Sequence, residues 1–154
     1  HAFDKAKLDI MFLGPAWDDW SNDNNAIYGA LTGLTLRGDV EMTGDISGAS
    51  MLDEEFFNIN MMIKYYKFGF GRATDICNER IRNKTLTRGE SIVLVDQYDG
   101  VCDDSIILRY CNYVNISVAE FWDIVNLYVN CNIFRVNEGE RPEKKFTVGV
   151  DFND

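Results

Sequence analysis

A turn with the chemistry of an anion-binding site lies in the middle of the chain. Gly69, Gly71 and Arg72 directly precede a segment that predicts a helix over residues 73–83. Glycines let a backbone approach an anion, and the free N–H groups of a helix start bind it together with a guanidinium. Neighbouring polar side chains can orient a sugar hydroxyl. The candidate substrate-binding residues are therefore Lys67, Gly69, Gly71, Arg72, Thr74 and Asp75.

The same residues also suit a purely structural turn between two helices. In that interpretation glycine supplies a positive φ at a helix end, and Arg72 pairs with a surface carboxylate. Thr74 and Asp75 then satisfy free N–H groups in the first turn of the helix. The G-x-G sequence alone favours the structural interpretation, and the resemblance described below gives the two equal weight.

Other polar groups have weaker claims to chemistry. Trp17-Asp-Asp-Trp20 resembles a carbohydrate-binding arrangement, but tryptophans in a core beside solvated aspartates are the favoured interpretation. The acidic groups at residues 53–55 and 103–104 are interpreted as helix starts that complement the helix dipole. No residue is singled out as catalytic.

Cysteine and histidine do not form a metal-binding pattern. The chain has one His, at its first position, and four Cys without a C-x-x-C pair, so no metal site is predicted. The cysteines are too sparse for a disulfide scaffold, and we interpret them as reduced, mostly buried thiols of a cytoplasmic protein.

The charge of the chain excludes several classes of partner. Its formal net charge is -10, which disfavours nucleic acids and anionic membrane surfaces. No apolar run reaches the roughly 20 residues that a membrane-spanning helix needs. A small phosphorylated ligand is still compatible, because Lys64, Lys67 and Arg72 form a local basic cluster.

Apolar periodicity and capping sequences predict a mainly α fold with a few short strands, an α+β arrangement. Asp53 is the expected cap of a helix whose face carries Phe56, Ile59, Ile63 and Tyr66. Thr87 and Ser117 each begin a capping box, and the second precedes the stripe Val118, Phe121, Trp122, Val125 and Tyr128. The predicted helices cover residues 26–34, 54–67, 73–83, 87–100, 103–114 and the segment after Ser117.

The organisation expected is a single domain over residues 1–154. Residues 1–52 form a segment rich in strands and loops, with a strand at 8–13 and mostly turns at 35–50. Residues 53–134 form a helical core. Residues 135–154 form a solvated linker and a terminal strand, which alternation places at 146–152.

Several motifs in a fixed order resemble those of N-acetyl sugar amidotransferases, enzymes of bacterial surface-polysaccharide synthesis. The resemblance covers residues 56–152 and is strongest in Lys64-Tyr-Tyr-Lys-Phe-Gly-Phe-Gly-Arg-Ala-Thr-Asp75. The motifs that follow in the same order are Glu79-Arg-Ile-Arg-Asn83, Leu86-Thr-Arg-Gly-Glu90, Val95-Asp-Gln-Tyr-Asp-Gly100, Ile116-Ser-Val-Ala-Glu-Phe-Trp122 and Lys145-Phe-Thr-Val-Gly-Val-Asp-Phe152.

The resemblance implies the C-terminal helical part of a PP-loop α/β enzyme. Such an enzyme uses ATP and Mg²⁺ to convert an acetamido group of a nucleotide-linked sugar to an acetamidino group, with ammonia from a glutaminase partner. The chain contains no S-G-G-x-D-S loop and lacks the family's cysteine cluster. We therefore expect no cofactor in this chain, and a fragment that is inactive alone.

Two alternatives are a non-catalytic helical interaction or scaffold domain, and a composite or designed sequence without activity. The opening His1-Ala-Phe3 indicates a fragment or an engineered chain. A second, short likeness, from Ala30-Leu-Thr-Gly33 to Met42-Thr-Gly44, is to the Lon protease domain. Asp18 stands where that family has its nucleophilic serine, and the lysine has no counterpart, so a protease is not the favoured function.

Overall fold

Two compact units make up the chain in a computed structural model. They are His1–Thr35 and Leu36–Asp154. The structure describes residues 10–11, 13–16 and 20–150. The second unit holds all the motifs on which the resemblance depends, together with residues 36–52, which the sequence analysis assigned to the N-terminal segment.

The first unit contains a 3₁₀ turn, Gly14–Ala16, and helix α1, Asn22–Leu31. The helix was predicted at 26–34 but begins earlier, because the Ser21 side chain accepts a hydrogen bond from the Asn24 N–H at 3.0 Å. It ends before Gly33, whose φ is 102°. Of the strand predicted at 8–13, residues 10, 11 and 13 are described and form no strand; the others lie outside the described residues.

The second unit is helical, which confirms the predicted fold class. A single turn, α2, covers Val40–Thr43, where only loop or strand was expected. A short antiparallel sheet pairs Phe134 with Lys144 and Arg135 with Glu143. The remaining elements are α3 (Phe57–Phe68), α4 (Arg72–Arg82), α5 (Arg88–Tyr98), α6 (Asp104–Val114), α7 (Val118–Asn126), β1 (Phe134–Arg135) and β2 (Glu143–Lys144).

Aromatic side chains dominate the core of this unit, which α3, α6, α7 and β1 enclose. Phe134 is almost fully buried, and its ring meets those of Tyr65 and Tyr66 edge-on at 5.1 and 5.2 Å. Trp122 packs edge-on against Tyr66 and Phe121. Such pairs add to the free energy gained from apolar burial. Helices α4 and α5 pack on each other. The motifs Glu79–Asn83, Leu86–Glu90 and Val95–Gly100 lie on these helices or directly beside them.

Three predicted helix starts are confirmed by their caps. Thr87 and Glu90 form a reciprocal capping box at the start of α5. The Asp103 carboxylate accepts from the Ser105 N–H at 2.8 Å, and the Ser117 hydroxyl accepts from the Glu120 N–H at 3.1 Å. These local sequence rules place α5, α6 and α7 within a residue or two of their observed starts.

The predicted cap of α3 is wrong. The helix begins at Phe57, and Asp53 makes no capping contact. Instead, the Glu54 carboxylate accepts from the Phe56 N–H at 2.7 Å, and the Asn58 amide donates to the Glu55 carbonyl at 2.9 Å. These local bonds hold residues before the helix in turns, since acidic and amide side chains compete for backbone groups.

The predicted terminal strand at 146–152 is also wrong over its described part. Residues 147–150 form a turn closed by the Val150 N–H and the Thr147 carbonyl at 3.2 Å, and Gly149 has φ 81°. A positive φ is incompatible with a strand. The strand lies earlier, at Glu143–Lys144, and residues 151–152 lie outside the described residues.

The apolar stripe of α7 is narrower than predicted. Phe121, Trp122 and Val125 are buried, but Val118 and Tyr128 are 38% and 62% exposed. The α3 face is confirmed, with Ile59 and Tyr66 in the core. Phe56 and Ile63 pack against it.

Within the described residues, no helix combines the length and the apolar character that crossing a bilayer requires.

Candidate functional site

The candidate site is the turn that joins α3 to α4. Helix α3 ends at Phe68, and the next residue, Gly69, adopts the left-handed conformation with φ 84°. Its N–H donates to the Tyr65 carbonyl at 2.7 Å. A Cβ at this position would lie 2.6 Å from Ile133 Cδ1. The left-handed backbone conformation therefore favours glycine here, and any larger residue would also require the end of the Ile133 side chain to move.

The turn and the end of α3 form an open surface pocket of about 460 Å³. Two aromatic rings form part of its wall: Phe68 and Phe70 are 55% and 41% exposed, with centroids 6.1 Å apart and a 37° angle between planes. The pocket therefore presents apolar ring faces to solvent. Its lining side chains are Asn60, Ile63, Lys64, Lys67, Phe68 and Phe70.

Two ammonium groups lie against these rings. Lys64 Nζ is 4.6 Å from the centroid of Phe70 and also binds the Asp75 carboxylate. Lys67 Nζ is 5.2 Å from the centroid of Phe68. Among the described residues, Lys67 makes no ion pair. The arrangement therefore offers one uncompensated positive charge beside two aromatic faces, a combination that suits an anion attached to a ring.

The start of α4 is bound by a carboxylate of the protein itself. Asp99, which follows α5, accepts from the Gly71 N–H at 2.9 Å. It also accepts from the Thr74 N–H at 3.1 Å and the Thr74 hydroxyl at 2.6 Å. The helix start that was predicted to bind a ligand anion thus already holds an anion, and a long-range side-chain cap fixes the turn.

Glycine also lies where the Lys64–Asp75 motif contacts the Val95–Gly100 motif. A Cβ on Gly71 would lie 2.9 Å from Asp99 Oδ1, and one on Gly100 would lie 2.1 Å from the Tyr65 ring. Burial, followed by the charge of Asp99, raises the pKa of the Tyr65 phenol well above its ordinary value, so the ring stays neutral. The Val95–Gly100 motif therefore packs directly on Tyr65 of α3 and on the turn between α3 and α4, which we call the signature turn.

Arg72 is not one of the described residues that line the pocket, and it binds the segment before α3. Its Nε donates to the Ser50 hydroxyl at 2.8 Å, where the structural interpretation expected a surface carboxylate. Ser50 is itself buried, and its N–H donates to the Asp45 carboxylate at 2.9 Å. Asp45 is only 4% exposed and also accepts from the N–H and hydroxyl of Ser47.

The structure thus divides the predicted substrate-binding residues. Lys67 lines the pocket, Asp75 binds the lysine beside it, and Gly71 and Thr74 bind Asp99. The basic cluster is divided as well, because Lys64 and Lys67 share the pocket whereas Arg72 does not line it. Contact of the six predicted residues with a substrate stays a prediction.

Sequence reasoning missed Phe68 and Phe70 as pocket walls and Asp99 as the cap of α4. Phe68 and Phe70 were part of a quoted motif, and the aromatic residues close to lysines in that motif were an available indication. The Asp99 contact joins residues 25 and 28 positions apart, which no local rule predicts. Among the described residues, no group of three or more His, Cys, Asp or Glu is placed to hold a metal.

The other polar groups singled out earlier do not form a second site in the described structure. Trp17, Asp18 and Asp19 lie outside the described residues. Asp103 caps α6, as predicted. Three cysteines are buried and one, Cys131, is exposed, which confirms that most of the cysteines are buried. Their reduced state stays a prediction.

Residues 52–147, more than half of the chain, match the family described as LPS biosynthesis protein WbpG-like, C-terminal domain. The chain belongs to this family. The whole pocket, the signature turn and Asp99 lie inside the WbpG-like region, whereas Asp45 and Ser50 lie just before it. Neither a comparison with curated proteins nor one with solved structures gave a match.

Proposed function

We propose that this WbpG-like domain is the substrate-binding part of an ATP-dependent N-acetyl sugar amidotransferase of lipopolysaccharide synthesis. One observation carries the proposal. The segment Lys64–Asp75, which most resembles those enzymes, forms the end of α3, the turn after it and the first residues of α4, and its side chains line an open pocket with a positive charge and two aromatic faces. The match to an LPS biosynthesis family gives independent support for the pathway.

The proposed reaction replaces the oxygen of an acetamido group with nitrogen. ATP with Mg²⁺ would transfer its adenylyl group to this oxygen and release pyrophosphate. Ammonia from a glutaminase partner would then displace AMP, which keeps the oxygen. The residues of this chain would bind and orient the nucleotide-linked sugar. The proposal places the protein in the cytoplasm, where ATP and nucleotide sugars are available.

Each turn residue has a distinct part in this proposal. Lys67 would contact the substrate directly, because its ammonium group lines the pocket without an ion pair among the described residues. Gly69 and Gly71 let the backbone make the close turn. Arg72, Thr74 and Asp75 would hold that turn in place through Ser50, Asp99 and Lys64 respectively. Positioning of this kind contributes to catalysis because misplacing a substrate by a small distance is costly.

The test is a chimera in which this chain replaces the C-terminal region of an N-acetyl sugar amidotransferase. It is supplied with ATP, Mg²⁺, glutamine, the glutaminase and a UDP-N-acetylhexosamine, and the sugar is analysed by mass spectrometry. We expect exchange of one oxygen for one NH group. The exchange should be lost in Lys67→Gln and kept in Lys84→Gln, which removes the same charge from an exposed lysine outside the pocket.

A chimera that folds and binds ATP but yields only unchanged sugar, while the parent enzyme is active, would overturn the proposal. Equal activity of the Lys67→Gln and Lys84→Gln chimeras would separate the reaction from the pocket. A scaffold domain without a catalytic role predicts both of these failures.

A further inference from the structure

Resting on the proposed function, we infer that the pocket on the signature turn binds the nucleoside diphosphate end of the substrate rather than its sugar. In this inference a nucleobase covers the faces of Phe68 and Phe70, and the diphosphate meets Lys67 and Lys64. The acetamido group then extends out of the pocket, toward wherever its oxygen is activated.

The composition of the pocket favours a nucleobase over a sugar. A hexose carries several hydroxyl groups, each of which needs a hydrogen-bond partner when it leaves water. Among the described residues that line the pocket, Asn60 is the only one with an uncharged polar side chain. The apolar part of the lining instead consists of Ile63 and two phenylalanine rings. Flat heteroaromatic bases stack on such rings without requiring matched hydrogen bonds.

The exposure of the rings supports the same conclusion. Phe68 and Phe70 keep about half and two-fifths of their surface in water, although α3 and the turn hold them at defined positions. Their tilt of 37° leaves the two rings neither stacked nor edge-on. An aromatic ligand that covers them would remove this apolar surface from solvent, which is favourable in proportion to the area covered.

The charges set where the diphosphate lies. Lys67 is the lining cation without an ion pair among the described residues, and Lys64 is shared between Asp75 and the Phe70 ring. The chain as a whole has a formal net charge of -10, so these ammonium groups form a local reversal of sign. A nucleoside diphosphate therefore fits the pocket better than a neutral sugar, because a neutral sugar would leave the positive charge of Lys67 uncompensated.

Calorimetric titration of the whole chain with UDP, uridine, inorganic pyrophosphate and free N-acetylglucosamine tests the inference. We expect UDP to bind, uridine and pyrophosphate to bind more weakly, and the free sugar to give no heat. Loss of stacking in Phe70→Ala should weaken UDP binding about 5- to 150-fold. Loss of a charge-assisted hydrogen bond in Lys67→Gln should weaken it about 10- to 150-fold.

Two variants serve as controls. Lys84→Gln should bind UDP like the unmodified chain, and Phe70→Leu should fall between Phe70→Ala and the unmodified chain because it keeps apolar volume but loses the ring. A melting curve on each variant shows that it is folded.

No heat with UDP at millimolar concentration, or equal UDP binding by Lys67→Gln and Lys84→Gln, would overturn the inference. This inference and the proposed function fail in distinguishable ways. An active chimera whose chain ignores UDP refutes only the nucleotide site, and a chain that binds UDP in an inactive chimera refutes only the amidotransferase.

Discussion

At the scale of single residues, the turn between α3 and α4 is held by three side chains from different parts of the chain. Asp99 binds its backbone N–H groups, Asp75 binds Lys64, and Ser50 binds Arg72. Each bond joins the turn to another segment, namely the end of α5, the first turn of α4 or the loop before α3. Phe70 lies within the turn that these bonds hold.

Replacing Asp99 with Ala should lower the free energy of unfolding by about 1–3 kcal/mol, because three hydrogen-bond donors of Gly71 and Thr74 lose a charged acceptor. Urea unfolding gives the change. Hydrogen exchange should also become faster at the Gly71 and Thr74 amides before the rest of the molecule is affected.

Asp96→Ala is the matched control for this prediction, because it removes a carboxylate three residues earlier, from the helix that Asp99 follows. Asp96 pairs with Lys144 at the surface, and both side chains are substantially exposed. Such a pair contributes about 0–1 kcal/mol. Equal losses in the two variants, or unchanged exchange at Gly71 in Asp99→Ala, would show that Asp99 does not fix the turn.

Sequence reasoning reached the residue types of this site but not their partners. It identified Lys67 and Arg72 as cations near a glycine turn, which is a matter of local order. It did not identify that Arg72 binds a serine 22 positions earlier, or that Asp99 fills the helix start. Both contacts arise from packing between segments that local periodicity does not relate.

At the scale of elements, helix starts with a side-chain cap were predictable and other boundaries were not. Thr87 and Ser117 accept hydrogen bonds from N–H groups three residues later in the chain. A short stretch of sequence is therefore enough to predict these helix starts. Asp53 has a side chain suited to a cap but does not cap α3. Instead, the Glu54 carboxylate accepts from the Phe56 N–H, and the Asn58 side chain donates to the Glu55 carbonyl. The turn at Thr147–Val150 likewise follows from a positive φ at Gly149 that alternation alone does not reveal.

The capping box of α5 gives a prediction at this scale. Thr87→Ala should lower the free energy of unfolding by about 0.5–2 kcal/mol, because the hydroxyl that accepts from the Glu90 N–H is lost. Chemical denaturation at neutral pH measures it. Thr87→Ser keeps the hydroxyl and should change stability much less. A loss in Thr87→Ser as large as in Thr87→Ala would point to the methyl group rather than the cap.

The box also carries a pH dependence of known sign. Hydrogen bonds from the Thr87 side chain and then its backbone lower the pKa of the Glu90 carboxyl below its ordinary value. The stabilisation is therefore present above the unfolded-state pKa of about 4.3 and is lost as the pH falls through the lower folded-state pKa. The difference between Thr87→Ala and the unmodified chain should shrink in acid.

At the scale of the whole molecule, one aromatic core joins the helices to the C-terminal hairpin. Trp122 is 5% exposed and packs edge-on against Tyr66 of α3 and Phe121 of α7. Arg141, just before β2, lies 5.1 Å above its ring and binds the Cys102 carbonyl and Asp104. The indole thus connects parts of the unit that are distant in sequence.

Trp122→Ala should accordingly lower the free energy of unfolding by about 3–5 kcal/mol through the cavity it leaves and the contacts it removes. Equilibrium unfolding in urea measures the loss. Leu127→Ala, at the end of the same helix but 78% exposed, should change stability by less than about 0.5 kcal/mol. A Trp122→Ala effect as small as that of Leu127→Ala would contradict the core described above.

The contact between Gly100 and Tyr65 has a consequence for transplanting this turn into another protein. Residue 100 must lack a Cβ so that the Tyr65 ring can lie against its backbone, while Asp99 next to it caps α4. The turn of residues 64–75 is therefore only half of a two-part insert. A graft that moves residues 64–75 without residues 95–100 would carry side chains of the pocket but not the segment that holds them in place. In a recipient with a larger residue at the position of Gly100, that residue would clash with the Tyr65 ring.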